Sequence, residues 1–461
     1  MTLEACARTF AQASFAVLRD RCRNYGPTQH PVPEWVKGDG GAFRLAYRTL
    51  SRDEACLDGE LRTFSETPQG VDTAELDAAI RGDRRLGKYV DQMVGTAFSR
   101  STATPGEIRR SLLLHVVGTG KGFRFTEPRF DRGYAAWLAE WTASVVTMTV
   151  ISPLPGFHLS SRVEVADGIE LDHLTDDEVS AALRMGILQT MPGGFGVLAL
   201  VADRVAVRRT YALRRVIDPE LTEQVLVEEQ AKVAAAWASN DDVIQALRVF
   251  KRGRIAISGT MQLVGSPGTM QSSGGAMFTT GGGQSRTLRG GMELSRADTR
   301  RLKAFWPAFE KARQRPDLGS AVRRFSYAGE RTRDDDRIVD LVAALEALLL
   351  SDTNDRRELA FRTALRGAVF IEGSDLTRHQ ILDHLRRAYG VRSTVAHGGT
   401  PKAKELTLPD GTRGTLGEFV DTIEDLARLA VRKALAAVAT GNDWPPDWDA
   451  LALREAAYPP R

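Results

Sequence analysis

Apolar residues recur at three- and four-residue steps through most of the second half of the chain, and at two-residue steps through a shorter middle stretch. The first spacing is that of an α-helix with one buried face, the second that of a half-buried strand. The clearest helical case is residues 376–400, LTRHQILDHLRRAYGVRSTVAHGGT. There Ile381, Leu385, Ala388, Tyr389, Val395 and Ala396 form one stripe, and Gly398, Gly399 and Pro401 end the helix. Arg392 falls within that stripe and His397 in the last turn. A guanidinium turned toward a core requires a partner, because a charge buried alone is very costly.

In chain order, the pattern opens with a helix over residues 3–23. Three prolines and several glycines make residues 24–41 a loop, and residues 42–63 hold a pair of short strands. Helices follow over 73–98 and 105–117. From residue 143 the period is two and β-branched residues dominate. Asp167 and Gly168 form a hairpin turn between 163–165 and 169–171. Thr175 caps a short helix over 175–184, with Glu178 completing a capping box. Residues 197–213 alternate like strands, 221–250 form one long helix or two broken near Asn240, and 254–264 form a further strand. The pattern of residues 1–264 is that of a mixed α+β region with several antiparallel strands.

Residues 265–291, GSPGTMQSSGGAMFTTGGGQSRTLRGG, have the composition of an exposed linker. Helices over 295–313, 337–350, 355–370, 376–397 and 416–440 then make a four- or five-helix bundle within residues 292–443. The tail, 444–461, opens with WPPDW, which breaks helix and is expected on the surface. The fold class is therefore α+β, an N-terminal mixed region followed by an all-α bundle.

A chain of 461 residues is too long for one ordinary core, and 43% apolar with 26% charged residues is usual for globular protein. A net charge of +3 neither demands nor excludes a nucleic-acid partner. Cys6, Cys22 and Cys56 show no metal-ligand spacing, and so sparse a set fits a reducing cytosol. No apolar run reaches the ~18–20 residues of a membrane span, and the N-terminus is unlike a secretory signal. These features read as cytoplasmic, with no membrane partner. Neither Gly118-Thr-Gly-Lys-Gly122 nor the linker glycines carry the GK[ST] of a phosphate-binding loop. No cofactor and no metal site is written in the sequence.

Three motifs stand in order on consecutive helices: DRIVDLVAALEALL, RRELAFRTALRGAVF and LRRAYGVRSTVAHGG. Together they resemble a HEPN domain, and specifically its Apea-like branch from bacterial anti-phage proteins. The resemblance covers residues 320–440. It rests on Asp336, Asp340 and Glu346, then Arg362 and Arg366, then Tyr389, Arg392, Ser393, His397 and Gly398. It implies a metal-independent endoribonuclease that acts as a homodimer in anti-phage defence, with RNA, tRNA among them, as substrate and a phage-derived trigger sensed by the N-terminal region. Arg392 and His397 are the implied catalytic pair, supported by Ser393, Glu346 and Tyr389. Arg362 and Arg366 are the implied RNA contacts.

The residue types suit that chemistry. Histidine moves protons near neutral pH, and arginine stays charged opposite a phosphorane. Yet five residues turn an ideal helix through ~140°, so Arg392 and His397 do not share a face. Their convergence needs a loosened helix end or a second protomer. An alternative reading keeps Arg392 as a bundle strut paired with Glu346, and His397 as a helix-end residue set against the dipole. By the same logic Arg362 pairs with Glu358. Between residues 320 and 397 there are 13 Arg against 12 Asp plus Glu, so no broadly basic surface is expected. The alternative function is a non-catalytic HEPN module that binds nucleotide or a partner protein.

Overall fold

A computed structural model of the chain describes residues 1–24, 32–37, 43–48, 70–98, 100–118, 123–154, 156–175, 178–179, 191–193, 196–199, 205–257, 259–264, 291–352, 357–371 and 374–453. The elements of the first third are α1 (Leu3–Asn24), β1 (Val32–Lys37), β2 (Phe43–Arg48), α2 (Ala74–Gly82), β3 (Met93–Gly95), β4 (Arg100–Thr102), α3 (Pro105–Gly118) and α4 (Glu127–Thr142). The middle holds β5 (Val145–Pro153), β6 (Phe157–Leu159), β7 (Val163–Ala166), β8 (Ile169–His173), β9 (Met191–Gly193), β10 (Gly196–Ala199), β11 (Val205–Arg214), β12 (Val216–Ile217), α5 (Glu223–Phe250), β13 (Met261–Val264) and β14 (Met292–Leu294). Helices α6 (Arg296–Arg313), α7 (Pro316–Glu330), α8 (Asp334–Leu349), α9 (Leu359–Phe370), α10 (Arg378–Ala396), α11 (Leu416–Ala439) and the short α12 (Trp448–Ala452) complete the chain. The class is α+β, as the residue pattern indicates.

Two apolar cores organise these elements. The first gathers α1, α2, α3 and α4, with Phe10, Phe15, Leu112, Phe130 and Trp137 buried at its centre. Trp137 donates its indole N–H to the Ile108 carbonyl at 3.2 Å, which removes the penalty of burying that donor. Gly133 of α4 lies against the backbone of Val116, where an added Cβ would stand 2.5 Å from Cα. The residue pattern leaves α4 unmarked and runs 73–98 as one helix. In the structure that segment ends at Gly82 and continues as a 3-10 turn, Gly87–Tyr89, and then β3. Gly87 sits against the Arg81 carbonyl, a closeness that a side chain would prevent. β1 lies inside the expected 24–41 loop and carries Pro33, which is tolerated because β1 is an edge strand.

The second core runs from the five-stranded antiparallel sheet β13-β5-β11-β8-β7 through α5 into the C-terminal helices. β5 and β11 pair along nine residues, from Pro153 opposite Ala206 to Val145 opposite Arg214. The β7–β8 hairpin turns at Asp167 and Gly168, and Gly168 has φ +65°, a conformation glycine takes without strain. Thr175 and Glu178 make the expected reciprocal capping bonds, at 2.7 and 3.2 Å. The rest of 175–184 lies outside the described residues, apart from Val179.

α5 is one continuous helix rather than two. Asn240 stays helical because its amide donates to the buried Ser152 hydroxyl of β5 at 2.7 Å, which fastens helix to sheet. Of the expected strand 254–264, only β13 forms, and Arg254 makes an isolated bridge to Gly291. β14 pairs with β6 in parallel, the one exception to antiparallel pairing among the described strands. Residues 119–122 and 265–290, which hold most of the glycine motif and of the expected linker, lie outside the described residues.

The helical part has α7 as a further helix, which the residue pattern leaves unmarked. Pro316 at its start and Gly319 and Gly329 within it mask an otherwise regular buried face of Leu318, Val322 and Phe325. The described start of the tail, residues 444–451, packs into the core rather than lying on the surface. Trp444 and Trp448 are buried edge-on against Phe370, with ring centroids at 5.5 and 5.7 Å. Cys6 is a free buried thiol, and Cys22 is buried. Among the described residues no helix is long and apolar enough to cross a membrane.

Candidate functional site

α10 begins at a capping box. Thr377 accepts from the Gln380 N–H at 3.2 Å, and the Gln380 side chain accepts from the Thr377 N–H at 2.8 Å. Ile381, His384, Leu385, Ala388 and Val391 are buried, at steps of three or four, against α8, α9 and α11. His384 tolerates burial by placing Nδ1 2.7 Å from the Gln380 carbonyl and stacking on Phe419. The expected stripe therefore holds over Ile381, Leu385 and Ala388 and then departs. It passes through Val391, Tyr389 and Val395 are half-buried, and Ala396 is exposed. The last turn of α10 projects out of the bundle.

That turn stays regular to its end. His397 donates its backbone N–H to the Ser393 carbonyl at 3.2 Å. Gly398 bonds back to Val395 and Gly399 to Thr394, both at 2.9 Å, and Gly398 has φ +75°. This is a Schellman motif, which only glycine closes without strain. The helix does not loosen between Arg392 and His397, so the ~140° between them stands. Arg392 faces the bundle and His397 is exposed. On the outward side, His379, Asp383, Arg386, Gly390, Ser393 and His397 follow at alternating steps of four and three. Their complementarity to the apolar steps is the signal that the sequence held for this face.

Arg392 sits beside Tyr389 of its own helix and Glu346 of α8. Its guanidinium carbon lies 5.7 Å from the Tyr389 ring centroid, and the Tyr389 hydroxyl and the Glu346 carboxyl are near enough to influence each other. Burial raises the Glu346 carboxyl above its ordinary range, with the Arg392 charge and the Tyr389 hydroxyl pulling it partway back. Burial likewise raises the Tyr389 hydroxyl. Arg392 makes no ion pair within 4 Å among the described residues, and its buried Nε has no acceptor. Arg392 and Glu346 are thus neighbours that interact through their charges without a direct ion pair.

The other motif residues lie elsewhere. Arg366 is engaged within its own chain. It grips Asp352 with both terminal nitrogens at 2.6 and 3.0 Å, donates to the Leu349 carbonyl at 2.7 Å and lies over Trp448 at 5.0 Å. Arg362, one turn earlier, is half-buried and already partnered. Asp340 is buried and accepts from Arg331 at 2.7 Å and Arg324 at 3.3 Å, while Asp336 is exposed near the start of α8. Six to ten residues separate them from Glu346, roughly 9–15 Å along the axis. Ser393 is half-exposed beside His397 in the last turn. No group of three or more His, Cys, Asp or Glu suited to a metal occurs among the described residues.

The arrangement can thus offer an exposed imidazole and, on a different azimuth, a half-buried guanidinium beside a carboxyl group. No protein-family model, no curated protein and no solved structure matches this chain.

Proposed function

We propose that this chain is a metal-independent endoribonuclease of the HEPN type, assembled from two copies and acting in cytoplasmic anti-phage defence. Arg392 carries the reading. A structural arginine turned toward a bundle is ordinarily neutralised by a carboxylate in contact, whereas Arg392 has no ion pair among the described residues. Its charge is left for a group that arrives. His397, five residues on, is exposed and stands at a fixed helix end.

Because the two side chains diverge within one chain, the site is completed across a dimer. His397 of one copy takes the proton of an RNA 2′-hydroxyl as that oxygen bonds to phosphorus. The partner's His397 gives a proton to the 5′-oxygen as the P–O5′ bond breaks. Arg392 stabilises the charge on the phosphorane. The products are a 2′,3′-cyclic phosphate and a 5′-hydroxyl. The N-terminal region restrains this activity until it meets a phage-derived trigger, and tRNA is the first substrate to examine.

The test is the end chemistry of cellular RNA after expression, with and without infection, for the wild type, Arg392→Ala and His397→Ala. Loss of cyclic-phosphate ends in both variants, with folding and dimerisation intact, supports the nuclease. Normal cutting by either variant, or none by the wild type in infected cells, removes it. The non-catalytic binding module then takes its place, a reading favoured by the commitment of Arg366 to Asp352.

A further inference from the structure

Residues 251–257 leave the end of α5 and pass beside the turn between α7 and α8, bordering a pocket separate from the group around Arg392. It is a hollow open to solvent, with enclosed room for little more than a water molecule. Four arginines reach it: Arg248 from α5, Arg254 from the following loop, Arg331 from the α7–α8 turn and Arg337 from the first turn of α8. Glu424 of α11 is the one acidic residue in the lining, and both its oxygens are occupied, one by Arg337 at 2.6 Å and the other by Arg428. Arg337 is fully committed, bonding also to Asp334 at 2.7 Å and Asp421 at 2.8 Å.

Arg248 is 5% exposed and donates through its terminal nitrogens to Ser326, Glu330 and the Ile255 carbonyl, while its buried Nε has no acceptor. That nitrogen lies against Gly329, which also lines the hollow, and a Cβ added there would stand 3.0 Å from it. Arg254 is exposed, and its guanidinium has no hydrogen bond or ion pair among the described residues. A cation would be repelled here, and a neutral ligand would leave the Arg254 charge unanswered. An oxyanion answers Arg254 and the terminal nitrogens of Arg331, whose Nε bonds Asp340, since each of its oxygens accepts several N–H bonds and arginine matches its geometry.

We propose that the mouth of this hollow binds a small phosphoryl-bearing anion through the guanidinium of Arg254 and the terminal nitrogens of Arg331, with the Arg248 charge behind them. The site lies where α5 meets α7, α8 and α11, so its occupant bridges the sheet-bearing region and the helices. α8 runs on from Arg337 to Glu346, about 14 Å along its axis. Occupancy therefore bears directly on the helix that holds the carboxyl beside Arg392. The proposal does not depend on the nuclease reading.

The full chain is titrated calorimetrically, and melted, with inorganic phosphate, pyrophosphate and AMP, against sodium chloride at equal ionic strength. Wild type is expected to bind at least one of the three. Arg254→Gln, which removes an exposed side chain without disturbing a described contact, is expected to weaken binding by about tenfold or more. Arg386→Gln, on the outward side of α10, is the control for lost surface charge and is expected to leave affinity within about twofold. Tighter binding of AMP than of phosphate identifies a nucleotide site, and the reverse order a phosphate or polyphosphate site. Equal affinity in wild type and Arg254→Gln overturns the proposal, as does failure of all three anions to bind.

Discussion

Glu346 shares its half-buried place with Tyr389 and Arg392, and the balance of those neighbours has a measurable sign. Its carboxyl is raised from the ordinary value of 4.5, first by burial. Such a group holds more protons folded than unfolded between the two values, so stability falls as pH rises from the ordinary value through the raised one. Glu346→Gln is therefore expected to raise the melting temperature near pH 7 and to leave it almost unchanged below about pH 4. Thermal melts at both values measure this, and a lower melting temperature near pH 7 would mean that attraction to Arg392 outweighs burial. Arg366 gives the opposite case. Arg366→Ala breaks a bidentate pair and a carbonyl bond, and should destabilise by about 1–3 kcal/mol in denaturant titrations. RNA cleavage per folded molecule should stay unchanged. The sequence revealed that Arg392 lies toward a core and that His397 does not share its face, because both follow from 100° per residue. It could not reveal that Arg366 is taken by Asp352, since the acceptor stands fourteen positions away and is presented by a turn that no periodicity encodes.

Helices α6 and α4 show how local signals succeed and fail. α6 is announced by Ser295, which accepts from the Asp298 N–H at 3.2 Å, while Asp298 accepts from Ser295, Lys251 and Arg301. Ser295→Ala should cost about 1 kcal/mol in denaturant midpoint. Those donors hold the Asp298 carboxyl far below the usual carboxylate range, the Lys251 bond being the largest cause. The stability it adds is present above the ordinary Asp value and is lost as pH falls through and below it. Asp298→Asn should therefore be destabilising near neutrality and harmless in acid. α4 and α7 escaped the pattern because glycine and proline within them read as breakers. In α4 the glycine serves close packing against α3, and Gly133→Ala, meeting the Val116 backbone, should destabilise by about 1–3 kcal/mol. A buried interhelical contact is invisible to a single-helix window, whereas a cap is wholly local.

At the scale of the molecule, composition placed a boundary at residues 265–291, yet the packing does not stop there. Val243, Leu247 and Phe250 of α5 share one core with Leu302, Phe309, Phe325 and Leu435 beyond it. Arg248 of α5 bonds across to Ser326, and its carbonyl accepts from Arg428 at 3.0 Å. A protease site inserted between residues 264 and 292 and then cut should leave two pieces that elute together in size exclusion and melt as one unit. Separation without denaturant would show that the two sides fold independently. Low-complexity sequence marks a change of composition along the chain, and buried area decides what folds together.

The regular close of α10 has one more consequence. In the proposed dimeric nuclease, with imidazole and guanidinium on different azimuths, an isolated copy would have half of each of two sites and the whole of neither. For such an arrangement the active species forms by mass action. Well below the dissociation constant its abundance grows with the square of total chain, so a tenfold rise in expression multiplies it about a hundredfold. On that proposal a cell carrying few copies would stay nearly silent, and a modest rise in synthesis, or anything that tethers two chains together, would convert silence into response.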